Sequence, residues 1–323
     1  MSDKSAQPAA SVAIFYFSGT GNTEIIADLL TREFEQSGCR VKTTFINKAL
    51  VETLSQNGER GARLHGFGAD RSAASDGYDL VGIGYPVHAF NAPRIVRDFI
   101  DHLPMAQGQP TFVFKDPGDP MGNGGSTHIV RRKLKRRGYD VFHEALFVMP
   151  SNILVKYDNR LVKQLYDKAV EVARATVAAI LSGQRKLQHN GLLWRALTWG
   201  FSTAEGWGAR FFGKHLHASD ACTLCGKCAR ECPMGNISIV DGDGTAARVR
   251  FGWDCVFCMH CVYACPVSAI SPRGLGFVVL DDGADGSRPC DLQRVIADPN
   301  LTGDFVSKDT QGYFKSFREY LES

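Results

Sequence analysis

Through the first 183 residues the chain alternates short apolar runs with segments whose apolar positions recur every three or four residues. Strand-like runs fall at residues 12–17, 41–46, 80–84, 111–114 and 141–149, and helical segments begin near Asn22, Ala92, Ser126 and Asn159. In the last of these, Leu161, Leu165, Ala169, Val172, Thr176 and Ile180 form one stripe, which a helix can bury. Alternation of this kind is the sequence pattern of an α/β domain built on a parallel sheet. Five strands predict a doubly wound sheet in the order 2-1-3-4-5.

Residues 57–77 hold five glycines and little hydrophobic pattern, and read as a surface excursion before the third strand. The domain boundary falls after the long helix, at residues 183–190. An aromatic-rich connector follows at 184–217 and carries three of the four tryptophans, Trp194, Trp199 and Trp207. Packing between two domains is the expected use of these rings; a membrane surface or a docking partner is the other.

Composition is that of a soluble globular protein, 44% hydrophobic and 22% charged. No run reaches the roughly 18 apolar residues that span a bilayer. The first residues lack a basic stretch leading into an apolar core, so a cytoplasmic place is expected. Charge is uneven: residues 1–218 carry 27 basic and 20 acidic side chains, whereas 277–323 carry 5 and 9, an acidic tail. The run Arg131-Arg132-Lys133-Leu134-Lys135-Arg136-Arg137 reads either as a solvated helix face or as a surface that steers an acidic partner. No nucleic-acid-binding motif accompanies it, so nucleic acid is not expected.

Eight of the ten cysteines lie between Cys222 and Cys265. They form two identically spaced groups, Cys222, Cys225, Cys228 and Cys232 before Pro233, then Cys255, Cys258, Cys261 and Cys265 before Pro266. Disulfides need an oxidising compartment, and a structural zinc site usually separates two CxxC pairs by a longer loop. Three thiolates two residues apart instead wrap one corner of a cubane. In bacterial two-cluster ferredoxins the fourth cysteine of such a run serves the other cluster. Carried over, that crossing assigns Cys222, Cys225, Cys228 and Cys265 to one 4Fe-4S cluster and Cys255, Cys258, Cys261 and Cys232 to a second. Residues 218–276 are then a small α+β ferredoxin-like domain. His260, between two ligands, is an exposed loop residue or a tuner of cluster potential; Cys39 and Cys290 are ordinary thiols.

The first strand runs into Ser18, Gly19, Thr20, Gly21, Asn22 and Thr23, then a helix. Glycines let successive amides point inward, hydroxyls add donors, and the helix start presents free amides and the positive end of its dipole: a phosphate fits. The string is neither GxxxxGK[ST] nor GxGxxG. IFYFSGTGNTEIIADLL resembles the phosphate-loop fingerprint of flavodoxins, and by that resemblance the cofactor is FMN. Its ring is then framed at the switch point by Tyr85, Pro86, Val87, His88, Phe90 and Asn91 after the third strand, and by Lys115, Asp116 and Gly118 after the fourth. Lys115 near the pyrimidine end stabilises a reduced flavin, and Gly118 frees a carbonyl to face the ring.

As a whole the chain resembles the flavodoxin-ferredoxin fusion proteins called ferrodoxins. The resemblance covers residues 11–183 and 218–276, including PVHAFNAP, the MPSN turn at 149–152 and CPMGNISI. It gives no role to residues 57–77 or to the tail from Phe277. The implied function is electron transfer between FMN, two clusters and redox partner proteins. A flavin-dependent reductase using the clusters as an internal wire is the alternative. No catalytic motif for substrate chemistry is present.

Overall fold

A computed structural model describes residues 10–58, 77–123, 126–188, 192–242, 245–280 and 291–323. The first part runs β1 (Ser11–Tyr16), α1 (Asn22–Gln36), β2 (Arg40–Phe45), α2 (Lys48–Gly58), β3 (Leu80–Pro86), α3 (Arg94–His102), β4 (Gln109–Asp116), α4 (Ser126–Arg136), β5 (Tyr139–Leu146) and α5 (Asn159–Leu181). All sheet neighbours are parallel, in the order β2-β1-β3-β4-β5. The expected order is the observed one.

Strand alternation creates two cores. Val12, Ile14, Phe112 and Phe114 face α1 and α5, where Ile26, Leu30, Leu161 and Leu165 close the layer. Ala13, Phe15, Val81, Ile83 and Val113 face the opposite way, against Val96, Phe99, Val130 and Leu134. Two glycines in β3 make room for large neighbours: a Cβ on Gly82 would come within 2.4 Å of Phe112 Cζ, and one on Gly84 within 2.1 Å of Phe114 Cζ.

The second part runs α6 (Leu192–His215), β6 (Leu216–Ala218), α7 (Lys227–Arg230), β7 (Ile237–Gly242), β8 (Thr245–Phe251), α8 (His260–Tyr263) and β9 (Ile270–Pro272). β6 pairs with β9 and β7 with β8, both antiparallel. This small α+β unit has its own core of Phe212, Leu216, Ile237, Phe251, Val262 and Ile270.

Three segments differ from expectation, the first being α2, since no helix was expected between the second and third strands. The connector contains a 24-residue helix, α6, although four glycines interrupt its sequence. The tail folds back over α5 through α9 (Leu292–Ala297) and α10 (Lys315–Glu322). Phe317 is fully buried in the α1/α5 core, Tyr320 Oη accepts from Val148 N at 3.1 Å, and Lys168 Nζ reaches Ser323 O at 2.7 Å. Most of the 57–77 excursion and Cys290 lie outside the described residues. Among those described, no helix is long and apolar enough to cross a membrane.

Candidate functional site

β1 delivers the phosphate loop to the C-terminal edge of the sheet, between β2 and β3. Gly21, immediately before α1, sits at φ 103°, a conformation in which a side chain is strained, and its amide donates to Ser18 Oγ at 3.1 Å. The amides opening α1 have no carbonyl one turn earlier to bond, so this 15-residue helix offers donors and a positive end to an anion. The MPSN turn braces the loop: Asn22 Nδ2 donates to Pro150 O at 2.9 Å, and Asn152 Nδ2 to Thr20 Oγ1 at 2.9 Å. Thr20 thus keeps its own hydroxyl proton to donate. Thr23 spends its proton on Asp116 Oδ1 at 2.6 Å. The loop fits a phosphate, with Thr20 the freer hydroxyl donor.

At the ends of β3 and β4 the expected ring contacts are bonded into the protein. Tyr85 is buried in the core, and Val87 N donates to Asp116 O at 3.1 Å. His88 and Asn91 exchange main-chain hydrogen bonds around a turn whose Ala89 and Phe90 adopt φ 42° and 65°. The Phe90 ring lies 5.5 Å from that of Phe201 on α6. Burial pulls the His88 pKa down to about 4, opposed by a main-chain hydrogen bond with Val256, so the imidazole is neutral. Burial raises Asp116 to about 8, against the Thr23 bond.

Lys115 is placed differently from expectation. Its ammonium turns into the layer between β4 and α4, donating to Thr127 Oγ1 at 2.8 Å and Gln188 Oε1 at 2.6 Å. Burial lowers its pKa to about 8, with the Glu144 carboxylate opposing. The Gly118 carbonyl accepts from Tyr157 Oη at 2.5 Å. A cleft of about 990 Å³ does open beside residues 18–21, but toward β2 and the second domain. Its planar walls are Tyr16, Phe45, His260 and Tyr263. None is among the ring contacts expected from sequence, because Phe45 belongs to β2 and two of the others to the second domain.

The cysteine groups repeat in conformation as well as spacing. Leu224, Gly226 and Gly235 have φ of 53°, 74° and 58°, and their counterparts in the second group, Phe257, Met259 and Ser268, have 56°, 61° and 47°. The curl turns amides onto sulfur: Asn236 N to Cys232 Sγ and Ala269 N to Cys265 Sγ, each 3.3 Å. The thiols fall into two neighbourhoods. Cys228 feels the charge of Cys222, Cys225 and Cys265, whereas Cys261 feels Cys258, Cys255 and Cys232, with Cys228 last.

Burial pushes Cys255 up to about 11 and Cys258 to about 12, and neighbouring thiolates add to both shifts. Packing such thiolates together is costly without a cationic centre to neutralise them, which is the chemistry of a metal-cluster donor set. Among the described residues no three His, Cys, Asp or Glu side chains converge on a single ion.

The two cofactor motifs meet. A Cβ on Gly19 would lie 2.3 Å from Cys258 O, so the phosphate loop and the second cysteine group touch through main chain. His260 bridges them, Nδ1 3.0 Å from Gly19 O and Nε2 2.9 Å from Glu231 Oε2. Arg94 clamps Asp254 at 3.0 Å, and Lys48 N donates to Pro233 O at 2.8 Å. Met234, Val256 and Cys258 share a core with Phe17 and Tyr85.

Residues 221–270 match the family model of the 4Fe-4S dicluster domain. No curated protein matches the chain. Among solved structures, the flavodoxin of Streptococcus pneumonia TIGR4 is 14% identical, covering 54% of this chain and 99% of its own, with a TM-score of 0.36. Flavodoxin 2 of Bacillus cereus is 19% identical, with coverage of 54% and 99% and a TM-score of 0.37. The rubredoxin oxygen:oxidoreductase of Desulfovibrio gigas is 20% identical, covering 55% of this chain and 37% of its own, at 0.33. The fold assignment rests on the strand order of this chain itself. The chain thus joins a doubly wound parallel sheet of flavodoxin-like strand order in its first half to a segment that matches the 4Fe-4S dicluster domain in its second.

Proposed function

We propose that the chain is an electron carrier holding FMN and two 4Fe-4S clusters. The FMN phosphate is held by Ser18, Gly19, Thr20, Gly21, Asn22 and Thr23. One cluster is held by Cys222, Cys225, Cys228 and Cys265, the other by Cys232, Cys255, Cys258 and Cys261. For the ring, Val87, His88, Phe90, Asn91 and Asp116 at the ends of β3 and β4 are the candidates, with Tyr85, Pro86 and Gly118 supporting them from behind.

The observation that carries this reading is the contact between Gly19 and the Cys258 carbonyl. A flavin phosphate site and a cluster loop that share main-chain contact are built to hold their cofactors close. When bound, FMN exchanges two electrons one at a time and each cluster exchanges one. The protein contributes positioning: Gly19 permits the approach, His260 ties the loops, and Met234 and Val256 exclude water from the seam. The cleft beside residues 18–21 is what the alternative, a flavin-dependent reductase, has to use.

Anaerobic redox titration, followed by flavin absorbance and by the electron paramagnetic resonance of reduced clusters, tests the proposal. Electron addition should distribute between flavin and clusters within each molecule, with no substrate present. A preparation that binds no flavin, or whose flavin fails to exchange electrons with the clusters, overturns it.

A further inference from the structure

The exposed face of α6 is not explained by holding the domains together. Phe201, Trp207 and Phe211 on this helix are 52%, 70% and 50% exposed, and Trp253 is 57% exposed. The sequence leads one to expect tryptophans packed between domains; Trp207 points out instead, and the side chains of Trp194 and Trp199 lie outside the described ones. Two cations stack on this surface, Arg210 over Trp207 at 5.6 Å and Lys214 over Trp253 at 5.9 Å. Scattered exposed apolar residues are ordinary, but aromatics gathered with arginine have the composition of binding hot spots.

The other face of the same helix lies on a cluster ligand. A Cβ on Gly213 would lie 2.1 Å from Cys255 Cβ, and Phe212 packs edge-on against Phe257 at 4.4 Å. Phe211 and Lys214 therefore reach solvent on either side of the Phe212-Gly213 pair that packs on Phe257 and Cys255. We infer that the surface of Trp207, Arg210, Phe211, Lys214 and Trp253 is the docking site for an acidic redox protein, which approaches the Cys255 side of the cluster domain; Phe201, against Phe90, lies outside it. This rests on the electron-carrier reading. Charge selects the partner: residues 192–215 hold three Lys or Arg and one acidic residue, so carboxylates rimming an apolar patch are the complement.

The basic run from Arg131 to Arg137 is the poorer candidate. Arg131 and Lys133 are paired with Glu144 and Asp101. Ala106 N bonds Arg137 O just before β4 begins, which sets the end of the run at the sheet edge opposite the cofactor loops. The eight residues of β4, at about 3.3 Å each, separate the two edges.

The test uses the intact, cluster-loaded chain and an oxidised acidic rubredoxin as probe, with binding measured by surface plasmon resonance at low salt. The double variants Trp207→Ser/Phe211→Ser and Arg210→Glu/Lys214→Glu should each weaken binding about tenfold or more. Arg132→Glu/Lys135→Glu should leave it within about twofold, and iron, sulfide and flavin contents should match the parent in all three. Equal affinity across parent and variants, or loss only with Arg132→Glu/Lys135→Glu, overturns the assignment. So does a patch-dependent capture by phosphatidylglycerol vesicles without rubredoxin binding, or a patch-dependent self-association on sedimentation, since the surface then serves a membrane or a second copy. A parent that carries no clusters or flavin fails the electron-carrier reading itself, before docking is tested.

Discussion

At the residue scale, two threonines of one loop have different tasks. Thr20 accepts from Asn152 and retains its proton, while Thr23 gives its proton to the buried Asp116. Thr20→Ala should therefore weaken FMN binding by roughly 1.5–3 kcal/mol, the worth of a hydrogen bond to a charged group, or from about tenfold to somewhat over a hundredfold in dissociation constant. Thr23→Ala should act mainly through Asp116. Fluorescence titration of flavin-stripped protein reads both; equal losses would mean that both hydroxyls face the phosphate.

Asp116 itself should be neutral at pH 7. Burial raises its pKa from 3.8 to about 8, so the folded chain holds the proton that the unfolded chain releases. This contribution to stability is full below about pH 4 and is lost as pH rises through about 8. The infrared carbonyl band of a protonated carboxyl should be present at neutral pH, vanish as pH is raised past about 8, and be missing from Asp116→Asn. A band absent from the parent at pH 6 contradicts the assignment.

At the scale of elements, the sheet was legible because β1, β3 and β4 are buried on both faces and read as continuous apolar runs, and α5 because its stripe is unbroken. Other elements were not. In α2 the stripe is only Leu50, Val51 and Leu54, followed by polar residues, which is too short to read as a helix. α6 is punctuated by Gly200, Gly206, Gly208 and Gly213, which argue locally against a helix. The structure separates their roles: Gly206 and Gly208 have nothing within 4 Å of a built Cβ, while Gly213 meets Cys255. Glycine costs a helix up to about 1 kcal/mol relative to alanine. Gly208→Ala should then stabilise the chain slightly, whereas Gly213→Ala should lower iron content despite its better propensity. Thermal melting with iron analysis distinguishes them; identical behaviour would mean that α6 does not press on Cys255.

The acidic tail shows the same limit. Its composition advertises solvent, yet Phe314, Phe317 and Tyr320 carry it onto α5 and Tyr157. Only the long-range partner reveals that use. For the candidate site, the phosphate loop and the cysteine groups were readable since their chemistry is local in sequence. The Gly19 to Cys258 contact joins residues far apart in the chain, and no local pattern announces it.

At the scale of the molecule, the account requires three centres in one chain, two of them held by cysteines exchanged between groups. Cys232 lies in the neighbourhood of Cys255, Cys258 and Cys261 although it belongs to the first group in sequence. Cys232→Ala should thus damage that cluster and spare the one held by Cys222, Cys225, Cys228 and Cys265. Loss of the latter alone, seen by electron paramagnetic resonance of the reduced variant, would overturn the crossed assignment.

The most direct test of the whole is the cofactor content of the chain purified without oxygen. Iron, acid-labile sulfide and flavin should be found at about eight, eight and one per chain, the flavin being FMN, as two four-iron clusters and one phosphate-anchored flavin demand. Four iron at full reconstitution, or a fully loaded cluster domain with no FMN bound at saturating concentration, would contradict it.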